Sequence, residues 1–172
     1  NKIAFDKFAS LEAQVASIAD DIAYNNHDLE DGLRAGLFSI NKLKNIKFIG
    51  NLISKNDKKY ESYRREVKVN NIIRKLIGEM VKDVIKTTEK NLKKIKARKL
   101  NDIYKQNHLI VDFSPTMKKL DIKIKDFLKI NMYNHNKVVV NTNNCRKIIK
   151  NLFTYLIKKP NKFINKNLLK ND

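Results

Sequence analysis

A long run of apolar residues at steps of three and four constrains the fold of this chain most strongly. Between Tyr60 and Leu92 such residues recur on one helical face: Val69, Ile72, Ile73, Leu76, Ile77, Met80, Val81, Val84 and Ile85. This spacing predicts one long core helix. Because the chain contains only 4 Gly and 2 Pro, few breaks are expected elsewhere. The sequence therefore predicts an all-α protein, a helical bundle built around this helix.

Capping residues and shorter periodic stretches predict the helices before and after it. Ser10 is a predicted N-cap of a first helix that runs to about His27, with a turn after DLEDG. Its apolar face is formed by Leu11, Val15, Ile18, Ala19 and Ile22. A second helix is expected over residues 35–53.

The C-terminal third has clearer boundary signals. Ser114-Pro115 predicts an N-cap followed by Pro at the first helical position, and apolar residues continue this helix to Met132. A last helix is expected over residues 143–158, closed by Pro160. The segment KKIKARKLNDIYKQN is expected to be turn-like, HLIVDF a strand or an extended link, and the polar tail frayed.

The net charge of +19 leaves two interpretations open. Clustered basic residues gain from counterion release on nucleic acid, so weak nucleic-acid binding is one expectation. The excess is nearly all Lys in a chain also rich in Asn and Ile, as codon bias in an AT-rich genome produces. On that interpretation the lysines are solvated surface residues.

Cysteine content and hydropathy limit the class of protein. Cys145 is the only cysteine, which excludes a disulfide framework and a thiolate metal cluster. No apolar run approaches the roughly 20 residues that span a bilayer, and no signal-peptide pattern is expected. We expect one domain over residues 1–172, a cytoplasmic location and no membrane partner. Since the first residue is Asn1, the chain is also expected to begin inside a longer reading frame.

The acidic stretch SIADDIAYNNHDLEDG contains the candidate site. Asp20, Tyr24 and Asp28 are spaced by four residues, so on a helix successive members are about 40° apart and about 6 Å apart along the axis. Two carboxylates beside a phenol suit a hard cation or a sugar hydroxyl. From spacing alone, a solvated helix face is the favoured interpretation.

The segment SLEAQVASIADDIAYNNHDLEDGLRAGLF, residues 10–38, closely resembles the signature of the deoxynucleoside triphosphate triphosphohydrolases, the dGTPase-like branch of the HD-domain phosphohydrolases. The similarity continues in IIRKLIGEMVKDVI, FSPTMKKLDIKIKDFLKINMYNHNKV and KIIKNLFTYLIKKP, in the family's order. It implies the C-terminal part of the family's helical bundle. Residues 10–38 would form the end of the HD-type metal and substrate site, and residues 60–160 the C-terminal helices.

The resemblance also implies roles for Asp20, Tyr24 and Asp28, which are together called the stripe. Asp20 matches the final ligand of a divalent metal, Mg²⁺ or Mn²⁺, whose other ligands are an upstream His and a His-Asp pair. Asp28 would accept the 3′-hydroxyl of a dNTP, and the Tyr24 ring would fill the space of a 2′-hydroxyl. Lys and Arg would neutralise the triphosphate; Arg64, Arg65 and Arg74 are candidates, although a solvated surface role is favoured for each. The complete enzyme splits a dNTP into deoxynucleoside and triphosphate and is expected to be a homo-oligomer.

The upstream ligands are missing from this sequence. His27-Asp28 follows Asp20 and is therefore not the metal pair, so His27 is expected to be a helix-end residue hydrogen-bonded near the site. His108 and His135 are expected on helix surfaces, Asp21, Glu30 and Asp31 as solvent or capping acids, and Gly32 at a turn. No catalytic residue is identifiable, and we expect an inactive chain that an N-terminal half carrying H…HD would complete.

Two further interpretations remain open. The chain could be a non-catalytic module that uses its basic surface for single-stranded nucleic acid or its apolar helices for assembly. Its 6 Tyr and 8 Phe are mostly at core spacings, which disfavours a base-stacking surface. The chain could also be the remnant of a decayed gene.

Overall fold

The computed structural model describes residues 8–60 and 63–162, and these residues contain helices, turns and links but no strand. The all-α prediction is therefore confirmed. The α-helices are α1 (Leu11–Arg34), α2 (Ile40–Leu43), α3 (Lys47–Tyr60), α4 (Arg65–Ile95), α5 (Leu100–Tyr104), α6 (Pro115–Leu128) and α7 (Asn136–Lys158). A π-helical turn, Lys129–Tyr133, follows α6, and a 3₁₀ turn, Pro160–Lys162, follows α7.

The chain divides into two compact units, Asn1–Met132 and Tyr133–Asp172. In the first unit, α4 packs against α1 and α3, and α1 also packs against α6. The second unit contains α7. The prediction of one domain over residues 1–172 stays a prediction. No helix in the described ranges is long and apolar enough to cross a bilayer.

Helix α1 begins as predicted but ends later. The Ser10 hydroxyl accepts a hydrogen bond from the Ala13 amide, which confirms the N-cap. The predicted end near His27 and the turn at Gly32 are wrong. The buried face of the helix continues through Leu29 and Leu33, which are both fully buried. Gly32 lies within the helix, where a Cβ atom would collide with the Phe38 ring.

The turn follows α1 instead, at Gly36, whose φ of +67° lies in the left-handed region that favours glycine. The single helix predicted over residues 35–53 is also wrong, since this region contains α2 and most of α3. Ser39 is the N-cap of α2, and its hydroxyl accepts a hydrogen bond from the Lys42 amide. Gly50 allows the two helices to pack closely, because a Cβ there would lie 2.5 Å from the Lys44 carbonyl oxygen.

The long core helix is confirmed as α4, although it begins at Arg65 rather than near Tyr60, which ends α3. Its buried face comprises Val69, Ile72, Ile73, Leu76, Met80 and Val84. Two predicted core residues are exposed: Val81 by 40% and Ile85 by 53%. The buried face is therefore narrower than the sequence pattern suggests.

The segment between α4 and α6 is more ordered than predicted. It includes the short helix α5, which buries Ile103, so the turn-like prediction is wrong there. The HLIVDF segment is an irregular link that buries Ile110, Val111 and Phe113. The Gln14 side chain of α1 fixes this link, because its oxygen accepts from the Ile110 and Val111 amides at 2.8 and 3.1 Å.

The start of α6 is confirmed. Ser114 is its N-cap and Pro115 its first residue. Asp83 of α4 anchors the start of α6, because its carboxylate accepts hydrogen bonds from the Ser114 amide and hydroxyl at 2.8 and 2.7 Å. The last helix ends near Lys158 as predicted, but it begins at Asn136, seven residues early, after a cap formed by His135. The predicted frayed tail lies mostly outside the described residues.

A buried polar cluster joins α1 to α6. The Asn25 amide donates to the Asp121 carboxylate at 3.0 Å, and both side chains are buried. Lys125 forms ion pairs with Asp121 at 2.9 Å and with Asp21 at 3.4 Å. Partial burial lowers the Lys125 pKa, but the Asp121 and Asp21 carboxylates outweigh this effect and hold it above the ordinary value. The two ion pairs of Lys125 therefore stabilise the fold fully at pH values below the ordinary lysine pKa. Their contribution is lost as the pH rises through the raised pKa of Lys125 in the folded protein.

Truncation of the core of α4 tests the bundle. Leu76 is fully buried, so Leu76→Ala should lower the free energy of unfolding by about 2–5 kcal/mol through a cavity. The matched control is Leu100→Ala, because Leu100 is half exposed and should cost well under about 1 kcal/mol. Urea unfolding followed by circular dichroism measures both. Equal losses would contradict the assigned core.

Removal of the Asp121 carboxylate tests the contact between α1 and α6. Asp121→Ala should lower the free energy of unfolding by about 1–3 kcal/mol, because the buried Asn25 amide loses its acceptor. Asp126→Ala is the control: Asp126 is an exposed carboxylate on the same helix and should change stability by under about 0.5 kcal/mol. Thermal unfolding of both variants decides, and a neutral Asp121→Ala would refute the role of this cluster.

Candidate functional site

The predicted stripe lies on the face of α1 that points away from the core. Asp20 is exposed, Tyr24 is 59% exposed and Asp28 is half-buried. On the opposite side of the helix, Ile22 and Leu29 are buried. Because α1 is continuous through all three positions, the three side chains share one face at the predicted spacing. Their assignment to a metal and a sugar stays a prediction.

Two of the acidic residues beside the stripe form ion pairs. Asp21 pairs with Lys125 at 3.4 Å, and both groups are substantially exposed. Glu30 accepts two hydrogen bonds from Arg34, at 2.9 and 2.7 Å. Arg34 also donates to the Asn70 side chain at 3.0 Å, which ties this end of α1 to α4. These contacts give Asp21 and Glu30 structural partners.

His27 lies inside α1 rather than at its end. Seven further helical residues follow it, so the prediction of a helix-end position is wrong. Its side chain is exposed and lines a groove between α1 and α4. The premature end predicted for α1 is the source of this error.

The other two histidines have separate local roles. The His135 ring nitrogen accepts from the Lys137 amide at 3.3 Å and caps α7. His108 is exposed and contacts the adjacent Asn107 side chain at 3.1 Å. Neither contact involves the stripe on α1.

The described residues do not by themselves form a metal centre. Across residues 8–60 and 63–162, no group of three or more His, Cys, Asp and Glu side chains is arranged to hold a metal ion. Asp20 offers one exposed carboxylate, whereas protein metal sites commonly use three or more ligands. The described residues therefore supply at most one ligand of such a site.

The candidate phosphate-binding arginines lie outside the stripe. Arg64 occupies the N-cap position of α4, and Arg65 donates to the Leu33 carbonyl at 3.1 Å, which caps the C-terminal end of α1. Arg74 is exposed on α4. The Arg65 contact gives that side chain a structural role, and a phosphate role for each arginine stays a prediction.

Sequence reasoning missed an apolar groove beside the stripe. It has a volume of about 530 Å³ and is lined mainly by side chains of α1 and α4, with Val111 of the link also contributing. The periodicity of α4 assigned Val81 and Ile85 to the core, but they line this groove. The width of the apolar face of α4 could have revealed the groove, because this face contains more apolar residues than one neighbouring helix can cover.

Comparison with known proteins gives two findings. The model of a phosphohydrolase-associated domain matches residues 111–171. Several curated relatives are named deoxyguanosinetriphosphate triphosphohydrolase-like protein. The one from Pelagibacter ubique is 42% identical over 172 residues, which is 100% of this chain and 46% of the relative.

Relatives from other bacteria agree with this match. The protein of the same name from Brucella anthropi is 39% identical over 90% of this chain and 38% of its own length. That from Bartonella henselae is 36% identical over 89% of this chain and 38% of its own length. The chain thus spans less than half the length of these relatives. Its sequence matches the C-terminal portion of the dGTPase-like family of HD-domain phosphohydrolases.

Proposed function

We propose that this chain is the C-terminal portion of a metal-dependent dNTP triphosphohydrolase of the bacterial cytoplasm. The complete enzyme would convert a dNTP and water into a deoxynucleoside and triphosphate. One observation carries the proposal: Asp20, Tyr24 and Asp28 lie together on one helix face, in a chain that matches a dGTPase-like relative over its full length.

In this proposal Asp20 supplies one carboxylate to a divalent metal, Mg²⁺ or Mn²⁺. The remaining ligands come from a segment that carries the H…HD motif, called here the HD segment. When bound, such a metal polarises a phosphate and lowers the pKa of a bound water. The acidity of α1 supports a cation at this surface, because six acids and one Arg lie between Leu11 and Arg34.

Tyr24 and Asp28 have substrate-binding roles in the proposal. Asp28 follows Tyr24 by about 6 Å along the helix, the distance over which a phenol ring and a carboxylate can contact one sugar. The Asp28 carboxylate accepts a hydrogen bond from the 3′-hydroxyl. The Tyr24 ring packs against the 2′-carbon, where an added hydroxyl would lose its hydrogen-bond partners.

A hybrid protein tests the role of Asp20. The HD segment of a dGTPase-like enzyme, fused to this chain, should release triphosphate from a dNTP, whereas the chain alone should not. In the hybrid, Asp20→Asn should lower turnover by about 100-fold or more, because it removes a charged metal ligand. Asp21→Asn is the control: its carboxylate is one residue off the stripe, and its exposed ion pair contributes little. Equal sensitivity of both variants would refute the proposed site.

The same hybrid tests the sugar contacts. Asp28→Asn should lower kcat/KM for substrates with a 3′-hydroxyl by about 10- to 150-fold, as expected for one charge-assisted hydrogen bond. For substrates that lack this hydroxyl, kcat/KM of the variant should fall much less. Tyr24→Ala should narrow the preference for deoxyribonucleotides over ribonucleotides. A uniform loss for all substrates in both variants would instead indicate a structural role for these side chains.

A further inference from the structure

The groove beside the stripe runs between two antiparallel helices. Arg34 near the end of α1 contacts Asn70 near the start of α4, and Asn26 contacts Met80 further along. The α1 wall extends from Val15 to His27. At the helical rise of 1.5 Å per residue, this wall is about 18 Å long. The groove therefore accommodates about three turns of a further helix.

The lining of the groove is almost wholly apolar. The α1 wall includes the small residues Ala19 and Ala23, and the α4 wall includes Val81 and Ile85. Among the described lining residues, the ionisable ones are His27 and Glu89, which the antiparallel arrangement places at opposite ends. A highly charged ligand such as nucleic acid or a nucleotide has no complement here. An apolar surface of this kind typically marks a protein interface.

The wall of small residues indicates what can enter. Alanine side chains permit close approach of a helix backbone, and interaxial distances of about 8 Å are typical of such contacts. The branched side chains of Val81 and Ile85 then pack against the second side of that helix. An amphipathic helix with a continuous apolar face fits both walls.

We propose that this groove binds an apolar helix face of the HD segment. This inference rests on the proposed function and adds the place where the segment docks. The relatives are more than twice as long as their match to this chain, so they contain a further segment of ample length. Ala19 and Ala23 are the sequence neighbours of Asp20 and Tyr24, so a helix in the groove lies directly beside the stripe. Docking there brings the segment's ligands to the Asp20 carboxylate.

A binding measurement without catalysis tests the docking site. The HD segment is added in trans to this chain, in EDTA, and its affinity is measured by calorimetry. Ile85→Asp should weaken binding by at least about tenfold, because it places a charge in the apolar interface. The matched control is Ile122→Asp, since Ile122 of α6 is also 53% exposed but lies outside the groove lining. It should bind as the unmodified chain does.

A labelling measurement covers the case in which the segment does not fold in trans. In the fused hybrid, with Cys145 replaced by Ser, the Val81→Cys thiol should react with a maleimide at least about tenfold more slowly than in the chain alone, because burial of the thiol limits its access. The Ile122→Cys thiol should react at equal rates in both proteins. This readout does not require a metal or a substrate.

The outcomes separate this inference from the proposed function. Asp20→Asn should leave binding in EDTA and thiol protection unchanged, even where hydrolysis is lost. Protection without any hydrolysis would support the groove and count against the function. Unchanged Val81→Cys reactivity in the fused protein would overturn the docking site, as would equal binding by Ile85→Asp and Ile122→Asp. Self-association of this chain that Ile85→Asp abolishes would show the groove to be a contact between copies.

Discussion

The packing of α1 against α4 is the interaction on which the rest of the first unit depends. Leu29 and Leu33 of α1 and Leu76 and Met80 of α4 are fully buried in one cluster. Asn26 lies within this contact, and its amide donates to the Ile22 carbonyl at 2.8 Å and to the Met80 sulfur at 3.3 Å. The contact fixes the rotation of α1 about its axis. Rotation in turn decides which residues face the core, the groove and solvent.

The sequence predicted the helices well where one face is strongly apolar, as in α4, or where a cap is explicit, as at Ser10 and Ser114. It failed where tertiary contacts override local signals. Gly32 is a turn former by propensity, yet the ring of Phe38 occupies the space beside it within a helix. The stripe was predictable because it needs only helical spacing. The groove was not, since periodicity shows that Ile85 is on an apolar face but not whether another helix covers it.

The distribution of charge separates α1 from its surroundings. The whole chain has a formal charge of +19, whereas α1 contains six acidic residues and one arginine. Codon bias would account for excess lysine but not for an acidic helix. Glu30 and Asp21 have basic partners, and Glu12 is held in its charged form because hydrogen bonds to its own backbone amide and to Ser10 lower its pKa. In the proposed function, this surface would repel a triphosphate unless a cation lay between them, so binding of the substrate would depend on binding of the metal.

In the proposed assembly, the groove and the stripe act through the same helix on the same segment. The apolar contact lies beside Ala19 and Ala23, and the ionic contact at Asp20 begins one residue away. A segment held in the groove presents its ligands to Asp20 at high effective concentration, so metal binding does not have to offset the whole entropy of association. By linkage, a metal shared between the two parts must in turn strengthen their association. The free energy for assembling the site is thus supplied largely by apolar burial, which leaves the carboxylate free to coordinate the ion.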